Sequence, residues 1–332
     1  MSAICCFGEI MLRLSPPAGE RLVRARGFDA VYGGAEANVA AALAGFGCPA
    51  AVVTKLPAGE LGSACVSVLG SLGVDCSRIV RGGERMGLYF LEKGASLRPS
   101  KVIYDRRNSA FACSTREDWD WEAILGGASG FFFTGITPAV SDPAILEDAL
   151  AVCRREGIPV SCDLNYRPTL WSPEKAGPVM RALVDGVDLL VANEEHAALL
   201  LGVTAEGEGA DRHESLCRAL AERYRANRVA MTFRESLSAD DNIVSACLFD
   251  CGTFVSSKPY RVTGIVDRVG GGDAFTAGLL WGFRCGWDPQ RTVDFAVAAN
   301  ALKHSIPGDM LIATAEEVER LASSDGTVRM IR

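Results

Sequence analysis

Asp267-Arg268-Val269-Gly270-Gly271-Gly272-Asp273, running on into Ala274-Phe275-Thr276-Ala277-Gly278-Leu279-Leu280, joins a glycine turn to an apolar helix. Three consecutive glycines let a backbone come close to a ligand. The helix behind them turns its free N–H groups and the positive end of its dipole toward the same ligand. The run is therefore an anion cradle with a carboxylate in the first turn. Asp273 has two readings on local grounds. It caps the helix, a common role for Asp at that position, or it takes a proton from an acceptor hydroxyl while the glycine N–H groups stabilise a moving phosphoryl group.

Outward from this run, short apolar stretches recur ahead of turns and helical patterns, at 4–7, 51–54, 130–134, 160–163, 189–192 and 228–232. Strand, turn and helix repeated this often predict an α/β fold with a mostly parallel sheet covered on both faces. Ligands of such sheets bind beyond the carboxyl ends of the strands, where Asp163, Asn165, Asn193 and Arg234 fall. Two segments, 12–33 and 87–110, break the alternation. The second holds two β-like runs, 87–91 and 102–106, and reads as a small inserted sheet. No long linker or low-complexity tract interrupts the chain, so residues 1–332 are expected to form one domain.

Composition narrows the function classes. The 332 residues carry a formal charge of −7 and no polybasic run, which argues against a nucleic-acid partner. The twelve cysteines form no Cys-x-x-Cys pair and read as reduced thiols. No basic leader opens the chain and no uninterrupted apolar stretch reaches about 18 residues, so no membrane partner and a cytoplasmic location are expected. Neither a Walker A pattern nor a Gly-x-Gly-x-x-Gly after the first strand is present, which disfavours a P-loop enzyme and an NAD-dependent dehydrogenase.

The glycine run resembles the Asp-Thr-x-Gly-Ala-Gly-Asp signature of the PfkB/ribokinase carbohydrate kinases, with Arg268 in place of Thr and Gly271 in place of Ala. Tyr32-Gly33-Gly34-Ala35-Glu36-Ala37-Asn38-Val39-Ala40 matches the family's other signature, Gly-Gly-x-x-x-Asn-x-Ala. The resemblance implies a ribokinase-like three-layer fold, a β-sheet lid formed by the two inserted segments, and a homodimer or higher homo-oligomer built through that lid. It implies ATP and Mg²⁺ as cofactors, Asp273 as base and the Gly270, Gly271 and Gly272 backbone as anion hole. Arg268 in the Thr position would set a permanent positive charge beside the glycines.

Within the family, residues 94–106 and Asp163-Leu164-Asn165-Tyr166-Arg167-Pro168 resemble the bacterial 2-keto-3-deoxygluconate kinases. That likeness makes Arg106 and Arg167 planar donor forks for a substrate carboxylate. It also implies substrate contacts from Gly33, Gly34, Asn38, Tyr89, Tyr104 and Asp309. ATP contacts are expected from Asn165, Asn193, Thr232, Arg234, Glu235, Gly270, Gly272 and Asn300, with Lys303 a further candidate beside Asn300. The family's Asn-x-x-Glu element reads here Asn193-Glu194-Glu195-His196, so His196 stands where Glu is usual and Glu195 is the expected metal contact through water. Without the family, Asn38 is an early helix residue, Tyr104 and Arg106 an ordinary solvent-facing pair, Asp309 a turn aspartate, and Asn300 and Lys303 routine polar-face residues. The expected reaction is ATP-dependent phosphorylation of a primary hydroxyl on a sugar acid. A kinase for a neutral ketose or an inositol-pathway keto sugar is the alternative, followed by a catalytically silent sugar-binding protein.

Overall fold

Every residue of Ile4–Phe7, Gly130–Thr134 and Leu189–Ala192 is buried, the fate of continuous apolar runs when helices cover both faces of a sheet. The structure, a computed structural model, describes residues 2–17 and 19–324. In chain order the strands are β1 (Ile4–Phe7), β2 (Met11–Ser15), β3 (Asp29–Gly33), β4 (Ala50–Leu56), β5 (Ile79–Arg81), β6 (Gly87–Glu92) and β7 (Lys101–Asp105). They continue as β8 (Gly130–Thr134), β9 (Val160–Asp163), β10 (Leu189–Ala192), β11 (Arg228–Ser236), β12 (Asn242–Asp250), β13 (Thr253–Ser256) and β14 (Tyr260–Val262).

The large sheet has the order β13-β12-β11-β10-β9-β8-β1-β4-β5, with β14 also paired to β12. Pairing is parallel from β5 to β11 and antiparallel among β11, β12, β13 and β14. All six apolar runs expected as strands lie side by side in the parallel part. Alternation divides their side chains between two cores. Phe7, Phe131 and Phe133 pack with Trp119 and Trp121 on one face. Cys6, Val52 and Phe132 pack with Val39, Leu43, Phe275 and Phe295 on the other. Each fully buried Phe contributes about 1.5–3 kcal/mol by leaving water. β1 lies inside the sheet, with β4 and β5 on one side and β8 to β13 on the other, so the strand order reverses there and a crevice opens beyond β1's carboxyl end.

A separate four-stranded sheet has the order β3-β2-β6-β7 and comes from the two segments that broke the alternation. Its limits differ slightly from expectation. β2 starts at Met11, and β7 ends at Asp105, so Arg106 already leaves the sheet. Tyr104 and Arg106 are nonetheless neighbours, the guanidinium carbon lying 5.7 Å from the ring centroid. Tyr89 and Tyr104 are directly paired across β6 and β7.

Candidate active site

The helix Gly271–Arg284 starts at the glycine run, with Gly270 as its N-cap at φ 85°. A Cβ on Gly270 would lie 1.8 Å from the carbonyl oxygen of Asp309, so both conformation and space require glycine. Behind the glycines the helix is apolar and buried, which fixes its axis and the direction of its free N–H groups. The helix Ala35–Gly45 starts from Gly34 on the facing side. There a Cβ would lie 2.2 Å from the carbonyl oxygen of Glu9, so the helix entry is pressed against the turn after β1.

These two helix starts border a cleft of about 1110 Å³. Its wall gathers all the site residues expected from the sequence but Lys303: Gly33, Gly34, Asn38, Tyr89, Tyr104, Arg106, Asn165, Arg167, Asn193, Glu195, Thr232, Arg234, Glu235, Gly270, Gly271, Gly272, Asp273, Asn300 and Asp309. Small-sheet residues form one side, the carboxyl ends of β9, β10 and β11 another, and the glycine run the floor. A cleft above the usual single-ligand range has room for two substrates.

Asp273 is half-buried and opens on the cleft, yet protein surrounds its carboxyl group. Burial pushes its pKa up to about 7, reinforced by the carboxylates of Asp163 and Glu36 and opposed by Asn38 and Arg167. Asp163 is pushed up to about 6 by burial, against a backbone hydrogen bond from Asn165 and the charge of Arg167. Glu36 is buried and also raised; it accepts from Thr134 and Thr137 at 2.7–2.9 Å. Three carboxyl groups thus face one region and resist ionising together.

Several of the expected site residues carry protein contacts of their own. Asn38 Nδ2 donates one of its two N–H groups to Asp273 Oδ2 at 2.7 Å and so holds the candidate base. Arg106 is not an unpaired fork, because its Nε donates to Glu9 Oε2 at 2.7 Å and a second nitrogen pairs with the same carboxylate. Ser109 donates to the other oxygen of Glu9. Arg167 is exposed to the cleft and makes no ion pair among the described residues. Asp309 accepts from Tyr89 and from Arg13 Nη1 at 2.7 Å, while Arg13 Nη2 reaches Asp267 at 2.6 Å. Burial raises the Asp309 carboxyl, and Arg13 and Tyr89 pull it back.

The nucleotide side shows similar commitments. Asn193 Oδ1 accepts from the His196 N–H at 2.7 Å and caps a helical turn. Glu194 faces His213 and Arg212 at 3.2 and 3.5 Å, whereas Glu195 is exposed. The His196 ring sits edge-on to Tyr166, and burial lowers its pKa. Among the described residues no cluster of three or more His, Cys, Asp or Glu is arranged to hold a metal ion. Asn300 lines the cleft with its Oδ1 buried and without a partner, but Lys303 lies outside the wall, buried behind the glycine run. Arg268 is half-buried and pairs with no carboxylate among the described residues; its Nη2 donates to the Ser238 carbonyl and to Asn242 Oδ1 at 3.1 Å.

Glu9 and Arg13 escaped sequence reasoning. Arg13 sits between Leu12 and Leu14 in β2, where alternation would turn the leucines inward, yet it is Arg13 that is buried, at 2% exposure. Glu9 follows the first predicted strand, and that position was the only signal available for it.

The two-faced parallel sheet, the small second sheet and the glycine-headed helix at the crevice define the ribokinase-like class. The family model described as "pfkB family carbohydrate kinase" matches residues 1–315, and the chain belongs to that family. It is 34% identical over 317 residues to the 2-dehydro-3-deoxygalactonokinase of Haloferax volcanii, covering 95% of each chain. It is 29% identical to the 2-dehydro-3-deoxygluconokinase of Bacillus subtilis, over 97% of this chain and 96% of that one. The crystal structure of 2-dehydro-3-deoxygluconokinase from Thermotoga maritima superposes with a TM-score of 0.95 at 48% identity, covering 97% of this chain and 98% of that one.

Proposed function

We propose that this kinase transfers the γ-phosphoryl group of ATP to the primary hydroxyl of 2-keto-3-deoxygluconate, giving the 6-phosphate. The observation that carries the reading is Asp273: a carboxyl near pKa 7, held by Asn38, in the first turn of a glycine-headed helix. The substrate reading also draws on the names of the relatives above, which differ in epimer.

Asp273 accepts the hydroxyl proton as the substrate oxygen forms its bond to the γ-phosphorus. The bond from that phosphorus to the bridging oxygen breaks in line, ADP departs, and Asp273 returns its proton to solvent. The N–H groups of Gly270–Gly272 take up charge on the transferred group. Arg167 meets the substrate carboxylate, and Arg106, which already shares Glu9, orders the same wall. Asn300, with its orphaned Oδ1, is placed for a donor on the nucleotide. Mg²⁺ carried by the nucleotide neutralises phosphate charge when bound. The absence of a cluster of protein ligands among the described residues fits an ion of that kind, and Glu195 is the residue that would hold it through water.

The small sheet acts as a lid whose inner face excludes water from the transfer. Its outer face, with Phe28 and Ile103 each 43% exposed beside Phe90, is the contact through which two copies associate. Incubating the protein with ATP, Mg²⁺ and 2-keto-3-deoxygluconate tests the function. Phosphorus NMR should show one phosphate ester on C6 per ADP formed. ADP appearing without an ester, or an ester at another carbon, rejects the reading.

A further inference from the structure

Lys303 ends the helix Pro289–Lys303 and is fully buried, with an exposure of 0%. Its Nζ donates to the Ile306 carbonyl at 2.9 Å, and it makes no ion pair among the described residues. An ammonium has three donors, so this contact uses one. A Cβ built on Gly270 would lie 3.3 Å from Lys303 Cε, which sets the lysine stem directly behind the first glycine of the run. The surrounding charges are Asp267 and Asp309, bridged by Arg13, with Asp273 farther forward. Lys93 reaches Asp267 at 3.6 Å from the small-sheet side, Tyr89 bonds Asp309, and His304, whose pKa burial lowers, borders the same turn. Two buried carboxylates, Asp267 and Asp309, are therefore matched by two buried cations, Arg13 and Lys303.

We propose that Lys303 is a positioning residue of phosphoryl transfer, its buried ammonium behind Gly270 supplying a fixed positive field to the glycine cradle. The inference rests on reading Gly270–Gly272 as the phosphate cradle. A buried charge works at this range because no water reorganises around it, so its field at the cradle is present before the phosphoryl group moves. Burial is also what lowers its pKa to about 8, with Asp267 and Asp309 opposing. The ammonium form supports turnover and is lost as pH rises through that value. The unmodified protein should then show kcat falling on an alkaline limb centred near pH 8.

A lysine that served the 303–309 turn alone predicts something else: Lys303→Met would lower the melting temperature and leave kcat alone. The test uses the full chain with saturating ATP, Mg²⁺ and 2-keto-3-deoxygluconate. In Lys303→Met, kcat should fall roughly 10²-fold, the size of losing one preorganised charge-stabilising group. Both KM values should stay within about threefold and the alkaline limb should vanish. In Lys303→Ala, added ethylammonium should restore kcat saturably, and an uncharged amide of the same size should not. A Met variant with unmodified kcat and a retained alkaline limb overturns the proposal. Should neither variant fold, the profile of the unmodified protein decides alone, and kcat flat from pH 7.5 to 10 overturns it. Failure of the cradle reading itself is separable, because Gly272→Ala, whose Cβ meets nothing within 4 Å, would then retain turnover whatever Lys303 variants do.

Discussion

A carboxyl pushed up to about 7 by burial is protonated through most of the acid range, so Asp273 should give kcat an ascending limb with its midpoint near pH 7. Replacing it with Asn keeps the shape and the partner Asn38 but cannot accept the proton, and kcat should fall on the order of 10²- to 10⁴-fold. The same change should stabilise the fold. A carboxyl whose pKa is raised by folding holds its proton in the native state between its unfolded value and about 7, so stability falls as pH rises through that window. At pH 7.5 the Asn variant avoids burying the charge and should melt roughly 2–6 °C higher. A calorimetric scan showing it less stable than the unmodified protein contradicts the burial argument. Asp273 was legible because its cradle is contiguous in sequence. Arg13 was not, because a buried arginine paired to Asp267 and Asp309 reverses the apolar alternation of its own strand.

The start of the helix Gly271–Arg284 separates two kinds of glycine. Gly270 has φ 85° and lies against the Asp309 carbonyl, so Gly270→Ala should cost about 1–3 kcal/mol of stability together with activity. A Cβ on Gly272 would meet nothing within 4 Å, so Gly272→Ala should keep the melting temperature within about 1 °C while impairing turnover. Equal thermal loss in both variants would show that the cradle is merely a tight turn. The strands were readable because parallel strands covered on both faces are continuous apolar runs, as β1, β8 and β10 are. The small sheet was readable only as a break in that pattern. Its far boundary slipped because Arg106 leaves the sheet to meet Glu9, a residue 97 positions away that no local pattern announces.

Across the whole molecule, function depends on contacts between distant stretches: Asn38 with Asp273, 235 residues apart, and Arg13 with Asp309, 296 apart. Local periodicity places the elements that carry these residues but cannot say that Asn38 meets Asp273. Association through the outer face of the small sheet is a prediction at this scale. Ile103→Glu would put a charge on that apolar face, and sedimentation should show a dimer becoming a monomer. An unchanged mass places the contact elsewhere. Recognition of a sugar acid by its carboxylate falls to Arg167, an exposed cleft cation that makes no ion pair among the described residues. The most direct measurement is kcat/KM for 2-keto-3-deoxygluconate relative to a neutral ketose of similar length, in the unmodified protein and in Arg167→Ala. The expected result is a strong preference for the acid that shrinks about 10- to 10²-fold in the variant, the equivalent of about 1.5–3 kcal/mol of charged hydrogen bonding. A neutral ketose used as well as the acid by the unmodified protein, or a preference untouched by Arg167→Ala, would contradict it.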